Sequence, residues 1–397
     1  LPTAQHKAGL AGLLLQIIAL KSDERLAPDY ESDSDTLSTR VTIHFTQESV
    51  QSLFDELYAA TTEKVRVKSK WAGVPPLDEK EEIEEVNGVQ KKVKYFIYEQ
   101  VQPTGSALRR YIKDGANDWV KLWRDMLWAI PRGNPQTRKP YEQRAEKLSC
   151  EEGASIWEDL QKHVNAQSEN TFATAEVSGS LWLGAQAVNA ENISFEGRVD
   201  QTILLHFWPL TSLIYVPQMI KRDGDREFVG FVLAIPEVAH LQSFIDSYIL
   251  LLTNLRGRIA GFRPAEAVID LPQEGALSFL NHLAQIVQGK SKETDISTTI
   301  HSVEFLHLAK IGNNIKTMAS GRIANNRNLY DHYRKIISDN DKGHPVYGNP
   351  LFRRGLILAL LENQPWFQPF GKLFSDFPHS FFVPTEGPPA NIDWFWV

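Results

Sequence analysis

Residues 199–236 read VDQTILLHFWPLTSLIYVPQMIKRDGDREFVGFVLAIP, and how this stretch is read decides the fold. Two runs, VDQTILLHFWPLTSLIYVP and EFVGFVLAIP, are rich in branched and aromatic residues, the composition of buried strands. Between them KRDGDRE carries Asp223-Gly224, a dipeptide suited to a hairpin turn. Helices flank this strand region in sequence. Upstream, Trp119, Leu122, Trp123, Met126, Leu127 and Ile130 form one apolar stripe, opened by Asn117-Asp118 and ended by Pro131. Downstream, SFIDSYILLLTNL and ALSFLNHLAQIVQ have helical spacing, and from His301 to about Glu362 helical stretches alternate with Asn- and Arg-rich breaks. The expected fold class is α+β: mixed antiparallel sheet regions with packed helices, helical toward the C-terminus.

Working outward, TRVTIHFT (39–46) alternates as a strand, and SVQSLFDELYAAT follows as an amphipathic helix with Ser49 as its cap. The acidic stretch 22–38 reads as an exposed loop, and IWEDLQKHV as a further helix. KVRVKSK places Lys64, Arg66, Lys68 and Lys70 on one strand face, with no obvious partner. Next, Asn87-Gly88 suits a hairpin turn that pairs Glu84 with Lys91 and Glu81 with Lys94. Three regions are expected: 1–150, α+β with the basic strand and loop; 151–300, a β-rich core with flanking helices; and 301–397, mostly helical and incomplete.

The 397 residues include 49 Asp+Glu against 42 Lys+Arg, a formal charge of -7. A sequence-blind DNA coater, which lives on many phosphate contacts, does not have this balance. One cysteine, Cys150, allows no internal disulfide and no cysteine-rich zinc site, and suits a reducing cytoplasm. AGLAGLLLQIIAL (8–20) falls short of the ~20 residues that span a bilayer and lacks a cleavage site. It reads as a buried helix.

Two apparent catalytic motifs fail on chemistry. AQIVQGKS (284–291) looks like a phosphate-binding loop, yet a helix precedes it where a strand is needed, and Gly289 fits a helix C-terminus. His301, Glu304 and His307 in HSVEFLH offer zinc ligands, but without the i, i+4 histidine spacing of a metalloprotease helix; Val303, Phe305 and Leu306 suggest a helix face in a core. No metal ligand set, cofactor or catalytic residue is assigned.

What remains is a set of basic, amide-rich segments. PRGNPQTRKPYEQR (131–144) carries Arg132, Arg138, Lys139 and Arg144 on a stretch that three prolines and a glycine keep irregular. GAQAVNAENISFEGR (184–198) carries Gln186, Asn189, Asn192 and Arg198. KIGNNIK (310–316) has Asn313, Asn314 and Lys316, and GRIANNRN (321–328) has Arg322, Asn326 and Arg327. The cations suit phosphates, and Gln186, Asn189, Asn313, Asn314 and Asn326 suit base edges or the minor groove. Each loop alone has an ordinary reading, such as a cation past a helix end at Arg132. Together, in a chain without an enzymatic signature, they point to nucleic acid.

LPTAQHKAGLAGLLLQI, IPRGNPQTRKPYEQR, and LWLGAQAVNAENISFEGRVDQTILLHFWPLTSLIYVP followed by VGFVLAIPEV resemble the large subunit of type I CRISPR surveillance complexes (Cascade). The resemblance is nearest the myxococcal branch associated with subtype I-B systems, some of them transposon-linked. It implies a non-catalytic subunit of a bacterial cytoplasmic ribonucleoprotein, without cofactor and away from membranes. Such a subunit recognises the protospacer-adjacent motif in double-stranded DNA, aids duplex opening, and works with a guide RNA and the backbone and small subunits. It recruits a helicase-nuclease or a transposition adapter. The family has no strict motif for DNA-reading residues, so none is transferred, and the chain ends near where a C-terminal helical bundle is expected. Two rival classes stay open: a metal- or nucleotide-dependent enzyme built on 284–291 or His301/His307, and an interaction scaffold whose cations meet acidic protein surfaces.

Overall fold

The computed structural model describes residues 1–32, 41–71, 73–86, 89–184, 195–220, 226–260, 263–290, 296–312, 314–338 and 350–377. The architecture is α+β. Its centre is a six-stranded sheet in the order Val268–Ile269, Leu213–Ile220, Phe231–Val238, Ile300–Ile311, Asn314–Ala324, with Arg226–Phe228 paired to Leu213–Ile220. All pairings are antiparallel except Val268–Ile269 on Val216–Pro217. Val232, Leu233, Ala234 and Ile235 are wholly buried because both faces of the sheet are covered, by the Pro272–Lys290 helix on one side and Ala4–Ser22 on the other. Such a strand needs a continuous apolar run rather than alternation.

Ala4–Ser22 is apolar on every side, as a helix enclosed by the core must be. Thr3 caps it by accepting from the His6 amide. Gly9 and Gly12 let its backbone approach the segment that precedes the central strands: a Cβ on either would come within 2.1 Å of the Leu204 or Phe207 carbonyl oxygen. That neighbouring segment departs from expectation. VDQTILLHFWPL is not strand but helical turns, Val199–Thr202, Ile203–His206 and Trp208–Leu210, and the strand begins only at Leu213. A short apolar run is buried equally well as a strand or as turns, so its composition does not separate the two.

The same ambiguity misled the reading beyond residue 300. Ile300–Ile311 and Asn314–Ala324 are long strands of one hairpin, with Gly312 at φ +62°, rather than helical stretches. Helices resume at Arg327–Ser338 and Pro350–Leu361. The segment expected to be irregular after Ile130 forms a 3-10 turn, Pro135–Arg138, and a helix, Lys139–Ala145, whose Pro140 lies in the first turn, where no amide is needed. Thr46, not Ser49, caps the Gln47–Leu57 helix; Ser49 closes the capping box from the third position. Part of the acidic stretch, Asp29–Ser32, pairs with Val41–His44.

Other expectations hold. The Asn117–Ala129 helix stops before Pro131, and Glu151–Ser168, Leu241–Asn254 and Pro272–Lys290 are helices where the spacing placed them. A separate three-stranded sheet has Val89–Pro103 between Ala60–Val67 and Asp78–Val86, with Glu81 opposite Lys94 and Glu84 opposite Lys91. The turn residues Asn87-Gly88 and Asp223-Gly224 lie outside the described residues. One apolar core runs from Ala8 to Tyr330, and a smaller one gathers Leu271, Leu277, Tyr333 and Ile357. Among the described residues no helix is long and apolar enough to cross a membrane.

Candidate nucleic-acid interface

The cations of residues 131–144 turn inward. Arg132 is buried, and its guanidinium donates to the Tyr58 hydroxyl at 2.9 Å and the Thr137 carbonyl at 3.1 Å. Arg138 donates to the carbonyls of Arg132 and Trp128 and lies over the Trp128 ring. Arg144 donates to the carbonyls of Asp55 and Leu148 and sits 3.6 Å from the Asp55 carboxylate. Lys139 alone is exposed, and it pairs with Glu151 at 2.6 Å. Backbone carbonyls left open past a helix end attract donors, and three arginines here serve that purpose. Arg132, Arg138 and Arg144 are therefore not surface cations open to an outside phosphate.

Behind Arg132 the polar atoms form a directed chain. Arginine only donates, so the Tyr58 hydroxyl accepts from it; its own O–H donates to His206 Nδ1 at 2.8 Å in the tautomer protonated at Nε2. That requires a neutral imidazole. Burial, followed by the charge of Arg132, holds His206 down at about 3. The unfolded chain takes up a proton near pH 6.5 that the folded chain refuses, so stability falls as pH drops below 6.5, by about 1.4 kcal/mol per pH unit for this group. Urea unfolding at pH 7 and pH 5 is expected to differ by about 2 kcal/mol more in the parent chain than in His206→Gln. Equal pH dependence in both would refute the neutral, buried imidazole.

The basic strand is also answered internally. Arg66 pairs with Glu82 at 2.8 Å and stacks on Tyr95, and Lys70 pairs with Glu79 at 2.8 Å beside Phe96. Tyr95 and Phe96 are adjacent on their strand and so face opposite ways. The strand ends at Val67, and the four cations do not form one strip: Arg66 and Lys68 lie over Tyr95, Lys70 over Phe96. The missing partner is the acidic Asp78–Val86 strand. Lys64, opposite Glu99, is exposed and has no ion pair among the described residues.

Of the remaining candidates, Arg198 forms a two-bond fork with Asp200, at 3.0 and 2.7 Å, and lies over Phe172. Arg322 bonds Ser302 and pairs with Glu237, which also holds Lys7. Arg327 sits 3.6 Å from Asp331 on the next turn of an exposed helix face, and the Asn326 side-chain Oδ1 accepts from the Asn328 amide at the start of that helix. Gln186, Asn189, Asn192 and Asn313 lie outside the described residues.

The two decoys resolve by geometry. The Pro272–Lys290 helix runs through Gly289, without the strand-to-helix turn that cradles phosphate; Ser291 lies outside the described residues. His301 and His307 lie on a strand, with Glu304 on the opposite face, and His307 donates to the Val229 carbonyl at 2.7 Å. Among the described residues no group of three or more His, Cys, Asp or Glu side chains is arranged to hold a metal ion.

One expected segment does present free cations. KIGNNIK is the tip of the Ile300–Ile311/Asn314–Ala324 hairpin, at the edge of the central sheet. Lys310 and Lys316 are exposed, with no ion-pair partner among the described residues. Beside them Ile311, Ile315 and Met318 are each more than 40% exposed. A second basic turn was missed by sequence reasoning. LRGRIAGFRP (255–264) has three arginines within eight residues, and it lies between two expected helices without having been assigned a role. Its strands Ile259–Ala260 and Arg263–Pro264 pair; Arg258 is exposed and its charge acts on Glu266, Arg256 lies 3.4 Å from Glu266, and Arg263 stacks on Phe228.

Residues 34–293 match the family model Type I-B CRISPR Cas8b N-terminal domain, and residues 300–396 match Type I-B CRISPR Cas8b C-terminal domain. The chain belongs to the type I-B CRISPR Cas8b family. It is thus a large subunit of a type I-B CRISPR complex. No curated protein matches the chain. The hairpin with its unpaired lysines lies at the start of the Cas8b C-terminal match, and the arginine turn lies within the N-terminal match. The two matched parts are joined by buried charge: Arg353, from the C-terminal part, reaches Asp270 and Glu274 of the N-terminal part, and Tyr333 donates to Glu274 at 3.0 Å.

Proposed function

We propose that this chain is the DNA-checking large subunit of its complex: it works with a guide RNA and the backbone and small subunits, recognises the protospacer-adjacent motif, and helps to part the duplex. It performs no chemistry and recruits a helicase-nuclease or a transposition adapter. The observation that supports this reading is the hairpin tip, where Lys310 and Lys316 stand unpaired beside exposed Ile311, Ile315 and Met318 on a body whose other cations are mostly neutralised from within. Unpaired cations meet phosphates, and apolar side chains between them wedge base steps apart. Lys64 is a further backbone contact, and Asn314, with Gln186, Asn189, Asn313 and Asn326, supplies candidates for base edges. Minor-groove readout separates mainly A·T from G·C, which suits a short degenerate motif. Guide pairing offsets the cost of opening, so the protein needs only to lower the initial barrier.

In the reconstituted complex, Lys316→Ala is expected to weaken binding on all target sequences and to make the log–log salt slope shallower by about one. Ile315→Ser with Met318→Ser is expected to slow strand separation severalfold, followed by a fluorescent base analogue beside the motif, while leaving the salt slope alone. Unchanged opening and an unchanged slope in these variants would remove the hairpin from the proposal.

A further inference from the structure

The central sheet ends on Asn314–Ala324, which pairs with Ile300–Ile311 on one side and with no other strand among the described residues. Its outward row of amides and carbonyls can therefore accept a further strand. Register sorts its side chains. Ala319, Gly321 and Ile323 are opposite His307, Phe305 and Val303, and His307 is opposite Val232, which packs against Gly275 of the Pro272–Lys290 helix. All three are half-buried and form a shallow apolar shelf along the edge; the Phe305 ring lies so close to Gly321 that a Cβ there would come within 2.7 Å of it. Ser320, Arg322 and Ala324, on the other face, are exposed. Charge on this edge has one sign. Residues 305–330 hold Lys310, Lys316, Arg322 and Arg327 but no Asp or Glu, in a chain with 49 of them. Glu237 and Glu304 stand behind the edge on inner strands, and Glu237 is engaged by Arg322 and Lys7, as Asp331 is by Arg327. Lys310 and Lys316, near the hairpin tip, are exposed without an ion-pair partner among the described residues.

We propose that this edge receives a strand of another protein, an extended segment with apolar residues at alternate positions and carboxylates at the end that reaches the hairpin tip. Backbone bonds to the outward amides and carbonyls supply affinity, and alternate side chains supply selectivity. The apolar positions cover Ala319, Ile323 and the Phe305 ring, and the carboxylates meet Lys310 and Lys316. Lysine on an edge strand keeps copies of a protein apart, because each would bring the same charge. An acidic strand turns that repulsion into attraction. Nucleic acid offers phosphates to the lysines but no ladder to the amides. The inference goes beyond the nucleic-acid reading and does not rest on it, although DNA at the tip and a strand at the edge would compete for Lys316.

Hydrogen exchange of the full chain with the peptide Glu-Glu-Val-Thr-Val-Thr-Val-Glu-Glu tests the edge, the carboxylates at both ends serving either strand direction. Amides of Asn314–Ala324 are expected to exchange at least about threefold more slowly with the peptide bound, and those of Leu241–Asn254 at an unchanged rate. The same peptide with proline at both threonines lacks ladder donors and is expected to give no protection. Lys310→Ala with Lys316→Ala is expected to weaken peptide binding about fivefold. Lys310→Glu with Lys316→Glu is expected to reverse the preference, toward a peptide with lysine in place of each glutamate. The proposal is overturned if the parent chain gains no protection, if the proline peptide protects equally, if the lysine variants bind as the parent does, or if sedimentation shows copies of the chain pairing through this edge. Equal protection by a short DNA duplex would assign the edge to nucleic acid instead. Failure of the peptide leaves the nucleic-acid reading standing, since that reading is tested by the salt slope of Lys316→Ala in the reconstituted complex.

Discussion

Arg353→Ala is expected to destabilise the chain by about 3–5 kcal/mol, the usual cost of removing one side of a buried ion pair. The guanidinium sits against Glu274, which is fully buried, and lies 3.6 Å from the equally enclosed Asp270. Without it two carboxylates share a dry site. Donors that remain include the Tyr333 hydroxyl and the Asp270 amide on Glu274, and Gln218 on Asp270. Those neutral bonds do not offset two buried negative charges. Because Arg353 belongs to the Pro350–Leu361 helix, the loss has a location as well as a size. Hydrogen exchange is expected to quicken in Arg327–Ser338 and Pro350–Leu361 before it does in the central sheet. Adding Glu274→Gln to Arg353→Met, which removes charge from both sides, is expected to recover much of the stability. A single Arg353→Ala within 1 kcal/mol of the parent would mean that water or a proton already neutralises the site.

The second large effect concerns the opening helix, and its sign differs between fragment and protein. In a free peptide spanning Ala4–Ser22, Gly9→Ala or Gly12→Ala should raise helicity, since alanine is favoured over glycine by about 1 kcal/mol. In the folded chain each is expected to cost about 1–3 kcal/mol net, with the double variant costing less than the sum because one displacement of the helix relieves both clashes. The added methyl would meet the backbone oxygen of Leu204 or Phe207 at 2.1 Å, and backbone cannot rotate away as a side chain can. Circular dichroism of the peptide and urea unfolding of the protein test the two signs. Stabilisation in both would show that the helix and the Ile203–His206 turn do not pack this closely.

Much of the helical framework was legible because its signals are local. Trp119 to Ile130 repeat at helical spacing and meet Pro131, and the helix ends there. The opening apolar run is too short for a membrane and is enclosed by the core. Glu81 and Glu84 pair in register with Lys94 and Lys91 because a two-residue turn dictates what lies opposite. Elsewhere local signals were silent. Residues 203–210 and 303–309 are mostly buried, on both faces in the case of the strand, so apolar residues run on and neither a period of two nor one of 3.6 stands out in them. The candidate cations divide in the same way. Residue type marked them, but whether a guanidinium faces water or a carbonyl depends on groups far away in sequence, such as Tyr58 for Arg132 and Asp55 for Arg144.

From the chain of residues alone came the α+β class, most of the long helices, the absence of any internal disulfide, and the kinship with CRISPR large subunits. Only the tertiary structure decided which positive charges remain available: Arg132, Arg138 and Arg144 are bound to backbone carbonyls, whereas Lys310 and Lys316 stand clear. Composition counts charges, but three-dimensional packing determines their neighbours, and an attraction that falls with distance and with solvent depends on neighbours.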